Sequence, residues 1–199
     1  INKGNGLNLG VGPCEEYAER DKKVTEFIKR ALTNRISVLS HENFPSNPYN
    51  RALEKMALDL DPLFKPLDDK RIIRFNTLPN GYPLPDEKPE NTAEESWESL
   101  CGVYVSHSSL KKKIEKHSPI FFIGGAFERC LGNVAAYFAD KYEIRGTEIF
   151  CVRDLCASLD EEQARIMEEE LLKRKIQIIN SEKALRLISN HAVLSPMLS

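Results

Sequence analysis

PIFFIGGAFERCLGNVAAYF, residues 119–138, is the stretch on which the fold turns. Pro119 opens the apolar run 120–123, which ends at Gly124 and Gly125. A short apolar run bounded by Pro and Gly reads as a fully buried strand. A helix follows almost at once, with Cys130, Leu131, Val134, Ala135, Phe138 and Tyr142 on one face. A buried strand leading straight into a helix is the unit of an α/β fold.

The pattern repeats outward. Residues 147–152 read as a strand followed by Asp154. Residues 159–174 read as an amphipathic helix capped by Ser158 or Asp160, and 176–179 as the last strand. Ser181 then caps a final helix of about two turns. On the other side, Tyr17, Val24, Phe27, Ile28, Ala31 and Leu32 share a helix face ahead of a short strand at 36–40. A turn-rich HENFPSNP, a helix at 49–64 and a strand at 71–75 follow. Residues 78–100 form an acidic, proline-rich loop insertion, either a lid, a binding loop or a surface excursion, before a helix near 108–117. The expected architecture is one domain over 1–199. It is a three-layer Rossmann-like fold with a mainly parallel sheet and helices on both faces. Such sheets bind ligands beyond the carboxyl ends of their strands, here the loops after residues 40, 75, 124 and 152.

Composition narrows the function. A net charge of −2 and a pI near 6.2 point to neither nucleic acid nor an anionic membrane. No apolar run approaches the roughly 18 residues that span a bilayer. Five scattered cysteines make a poor disulfide framework and read as reduced thiols in a cytoplasmic protein. The opening INKGNGLNLG reads as a loop, and Ile1 in place of Met suggests residues upstream.

Cys130 falls in the expected first turn of its helix. N–H groups there lack intrahelical partners and the helix dipole favours negative charge, conditions that favour a thiolate. The same N–H groups can hold an oxyanion. Cys130 equally fits the apolar helix face as a small buried hydrophobe. GGAFERCLG lacks the Gly-x-Gly-x-x-Gly spacing of a dinucleotide fingerprint, so a nucleotide binder ranks last.

Residues 120–187 resemble the C-terminal half of the isochorismatase-like cysteine hydrolases, which include the nicotinamidases. Gly124, Cys130 and Leu131 match the family's nucleophile motif, Gly-x-x-x-x-x-Cys-[Val/Leu]. VRDLCAS at 152–158 resembles the strand-end segment with its Asp, and IQIINSEKAL the closing strand and helix. The resemblance implies a triad of cysteine nucleophile, aspartate base and lysine, with the amides of Ala126 and Cys130 as oxyanion donors. Here Asn2 stands in the aspartate's place and Arg74 in the lysine's. A neutral amide orients a substrate but takes no proton. Arginine keeps the charge in a bulkier, forked shape. Where nicotinamidases hold a metal with Asp-x-His, Glu42 and Phe44 stand, with His41 adjacent. Phenylalanine ligates nothing, so neither metal nor other cofactor is expected.

Two readings compete. One is a cysteine-nucleophile hydrolase acting on a small amide or related C–N or C–O bond. The other is a catalytically degenerate relative serving as a binding or scaffold protein, with 78–100 as a partner-contact element. Phe127, Glu128 and Arg129, where the family more often has small or hydroxyl-bearing residues, favour the second. The partner in the first case is a small molecule. Family members commonly oligomerise, which implies a homo-oligomer.

Overall fold

The computed structural model describes residues 15–34, 36, 38–42, 72–76, 78, 82–102, 104–114, 118–142 and 148–194. In chain order the elements are α1 (Glu15–Thr33), β1 (Val38–Glu42), β2 (Ile72–Asn76), α2 (Glu94–Cys101) and α3 (His107–Ile114). Then come β3 (Ile120–Gly125), a wide π-helical turn (Phe127–Leu131), α4 (Gly132–Lys141) and β4 (Ile149–Ala157). The last are α5 (Glu161–Lys173), β5 (Gln177–Ile179) and α6 (Ser181–Leu194). The helix expected at 49–64 lies outside the described residues.

Every strand pair among the described residues is parallel. β1 pairs with β2, and β3, β4 and β5 form a second ladder in that order. Helices cover both faces of the second ladder, because β4 alternates its side chains between two apolar layers. Phe150 and Val152 pack with Phe27 and Ala31 of α1 and Ala184 and Ile188 of α6. Ile149 and Cys151 pack with Phe127, with Ala135 of α4, and with Ala164 and Leu171 of α5. A third cluster joins Leu110 and Ile114 of α3 to Phe138 and Tyr142 at the end of α4. The fold is thus α/β and Rossmann-like.

Three expectations need correction here. β4 does not stop at 152 but runs to Ala157, through a large bulge in which the single residue Ile123 of β3 faces residues 152–155 of β4. A bulge re-aims side chains and lets pairing resume beyond it. It turns two charges to opposite sides. Arg153 reaches α5, and the Asp154 carboxylate accepts the Ser181 N–H at 2.7 Å and the Ser181 hydroxyl at 2.6 Å at the start of α6. So Asp154 does not end a strand. α6 is also longer than about two turns, reaching Leu194. Its cap is Asn180, whose side chain accepts from Lys183 N–H at 2.9 Å, while Ser181 is held by Asp154. At α5 the cap is Asp160, which accepts from Glu162 and Gln163 N–H.

A carboxylate on the open N–H groups of a helix start favours both hydrogen bonding and the dipole. Asp154→Ala is therefore expected to cost about 1–2 kcal/mol, read as a lower denaturant midpoint at unchanged slope. No change in midpoint would show that the Asp154–Ser181 contact carries no stability.

Candidate functional site

β3 resumes its pairing with β4 at Gly124, whose φ of 120° is a conformation only glycine adopts readily, and ends at Gly125. The Gly125–Ala126 peptide is cis. The Ala126 carbonyl then accepts the N–H groups of Arg129 at 3.2 Å and Leu131 at 3.1 Å, folding residues 127–131 into a π-helical turn. Arg129 departs from helical geometry inside it, at φ −127° and ψ −107°. Cys130 thus sits in a distinct turn ahead of α4, not in the first turn of a regular helix as expected. Residues Phe127 to Leu131 are gathered there because their start is pinned. Phe127 is fully buried, and glycine at 132 lets α4 begin hard against Met167 of α5.

The described cysteines divide by environment. Cys151 and Cys156 are buried, and Cys101 is exposed. Burial pushes the Cys151 thiol well above the usual thiol range and the Cys156 thiol up to about 12. The Cys156 thiol donates to the Val152 carbonyl at 3.2 Å. Both behave as core hydrophobes. Cys130 alone among them is half-buried in an irregular backbone turn beyond a strand's carboxyl end.

Around this turn, Glu128 accepts the Leu159 N–H at 2.8 Å through Oε1, while its Oε2 is buried without a hydrogen-bond partner. Ala126 immediately precedes the turn, so the structure brings Ala126 and Cys130 together. Arg74 is the third residue of β2, opposite Ser40 of β1. Asn2 and Phe44 lie outside the described residues. His41 and Glu42 end β1. Among the described residues no three His, Cys, Asp or Glu side chains converge where a metal is held.

A second polar cluster escaped sequence reasoning. His107 Nδ1 lies 2.7 Å from the Tyr137 hydroxyl, and its ring stacks on Tyr142 at 4.9 Å. Tyr82 packs on Tyr137 at 5.0 Å. The Tyr142 hydroxyl is buried with no hydrogen-bond partner, and burial raises its pKa well above the usual range. The Ser108 N–H, 2.9 Å away, holds the Asp86 carboxyl below its ordinary pKa. These contacts, with the Leu84–Ser106 bridge, fasten the start of the 78–100 excursion to the start of α3 and, through Tyr82 on Tyr137, to α4. His107 and Tyr137 are thirty residues apart, and no spacing rule links them. α2, within the excursion, buries none of its residues.

No helix among the described residues is long and apolar enough to cross a membrane. No protein-family model matches the chain, and no curated protein does. Solved structures do. The zinc complex of a pyrazinamidase from Pyrococcus horikoshii is 16% identical, with a TM-score of 0.55 over 90% of this chain and 95% of that one. A nicotinamidase from Bacillus subtilis is 12% identical, with a TM-score of 0.55 over 90% of this chain and 96% of that one. A protein from Oleispira antarctica assigned as an isochorismatase hydrolase is 10% identical, with a TM-score of 0.51 over 94% and 93%. The chain has the isochorismatase-like α/β fold that these hydrolase structures share.

Proposed function

We propose that the protein is a cysteine hydrolase of a small amide or a related C–N or C–O bond, with Cys130 as nucleophile. One observation carries this reading: among the described cysteines, only Cys130 stands half-buried in an irregular turn past the carboxyl end of β3. The similarity to a pyrazinamidase and a nicotinamidase supplies the substrate class. The thiol loses its proton to solvent and the sulfur attacks the carbonyl carbon. The amides of Ala126 and Cys130 receive the oxyanion, and Arg74 lends positive charge. The tetrahedral intermediate collapses, the C–N bond breaks as the nitrogen takes a proton from solvent and leaves as ammonia or an amine, and water hydrolyses the thioester to the acid, freeing the Cys130 thiol. Asn2 orients the substrate and takes no proton.

The test is alkylation with iodoacetamide, followed cysteine by cysteine by mass spectrometry between about pH 6 and pH 9. Cys130 is expected to react at least about tenfold faster than exposed Cys101 at neutral pH. A panel of small amides is then expected to release ammonia with the native protein and not with Cys130→Ala. Cys130 reacting no faster than Cys101 defeats the hydrolase. The second reading, a degenerate binding protein, then stands, favoured by Asn2 and Arg74 at the positions of base and lysine.

A further inference from the structure

Arg153 sits in β4, inside the bulge, with its side chain 26% exposed. Its guanidinium lies over the Phe127 ring, 4.7 Å from the centroid. Nε donates to Glu168 at 2.8 Å and Nη2 to Glu161 at 3.2 Å, both on α5. Glu161 is 82% exposed, so solvent screens that pair, whereas Glu168 at 34% is the firmer partner. Phe127 opens the turn that carries Cys130 and is fully buried. Its ring is therefore held between the apolar layer below and a cation fixed by α5 above. A guanidinium suits this place because its flat face stacks on a ring while its edge forks to carboxylates. A lysine ammonium has no such shape.

We infer that Arg153 is a positioning residue for Cys130, fixing the π-helical turn through Phe127. The inference rests on the nucleophile reading. Nothing in the reaction needs Arg153 to touch substrate. Its charge pairs with Glu168 and Glu161, and its Cζ lies over the Phe127 ring that opens the turn. The far end of the turn is set separately, by Gly132 against Met167. At the near end Arg153 acts on Phe127, beside Glu128, which accepts the Leu159 N–H.

The experiment compares the native protein, Arg153→Ala and Arg153→Lys by iodoacetamide labelling across pH. Cys101 serves as the exposed standard, and buried Cys151 and Cys156 report loosening of the fold. Arg153→Ala is expected to lower the Cys130-to-Cys101 rate ratio at neutral pH at least about fivefold, and to move the Cys130 pH profile onto that of Cys101. Cys151 and Cys156 stay protected, and Arg153→Lys recovers part of the loss. An unchanged ratio overturns the inference. So does exposure of Cys151 and Cys156 together with Cys130, which would make Arg153 a general support of the fold. Should native Cys130 react no faster than Cys101, the nucleophile reading fails on its own. Amide exchange at residues 127–131 then decides the role of Arg153. Exchange at least about tenfold faster in Arg153→Ala sustains its hold on the turn, and unchanged exchange removes it.

Discussion

Phe127→Ala is expected to destabilise the protein by about 3–5 kcal/mol, the range for emptying a fully buried aromatic site. Phe127 has no exposed surface and belongs to the layer shared by Ile149, Cys151, Ala164 and Leu171. Its loss leaves a cavity walled by β4 and α5, elements too well packed to collapse into it. It also leaves the Arg153 guanidinium over empty space. A double-mutant cycle with Arg153→Ala separates the two effects. The cavity term appears in both backgrounds, and a coupling of about 0.5–1 kcal/mol reports the cation on the ring. Denaturant midpoints at matched slope are the measurement. A loss below about 1 kcal/mol would mean that the core does not depend on this ring, against the burial on which the account of the turn rests.

Much of this architecture is written in periodicity. The run 120–123 between Pro119 and Gly124 forms a strand as its apolar pattern implies, but its residues are only partly buried and it ends its ladder among the described residues, because apolar content alone does not tell an inner strand from an outer one. The parallel order follows from strands alternating with helices. Longer-range geometry is what the sequence conceals. β4 reads as ending near 152 because Arg153 and Asp154 interrupt its apolar pattern. Yet a bulge carries the pair out to the flanking helices, and pairing resumes at Cys156. Local rules treat a charge pair as a boundary, and only the partner strand shows that it is a detour. The same limit hides the full length of α6 and its cap, which reads as Ser181 although Asn180 makes the bond. At the candidate site, Cys130 is legible as a candidate from the strand-to-helix pattern, whereas Ala126 comes only from the family resemblance. The π-helical turn is not legible, because it depends on Phe127 being buried and on Gly132 packing against Met167, thirty-five residues further on. Arg153 belonged to no motif. Its importance comes from which ring lies beneath it.

Gly132→Ala offers the sharpest test of that packing, because its sign runs against helix propensity. In an exposed helix interior, glycine to alanine stabilises by about 1 kcal/mol. Here a Cβ would stand 2.5 Å from the Phe127 carbonyl oxygen and 2.6 Å from Cγ and Sδ of Met167. The methionine can swing aside at modest cost. The carbonyl cannot, since it belongs to the turn that the buried Phe127 ring anchors. Gly132→Ala is therefore expected to destabilise by about 1–3 kcal/mol, as overpacking does. Pairing it with Met167→Ala apportions the clash. Relief of the side-chain part leaves whatever strain the backbone carries, and that remainder must be absorbed by the turn itself. Cys130 labelling in Gly132→Ala should then change relative to Cys101 while Cys151 and Cys156 remain protected. If Gly132→Ala is instead neutral or stabilising, α4 does not start where the structure has it. The turn would then have room to relax, and the close seating of Cys130 between β3 and α5 would have to be abandoned.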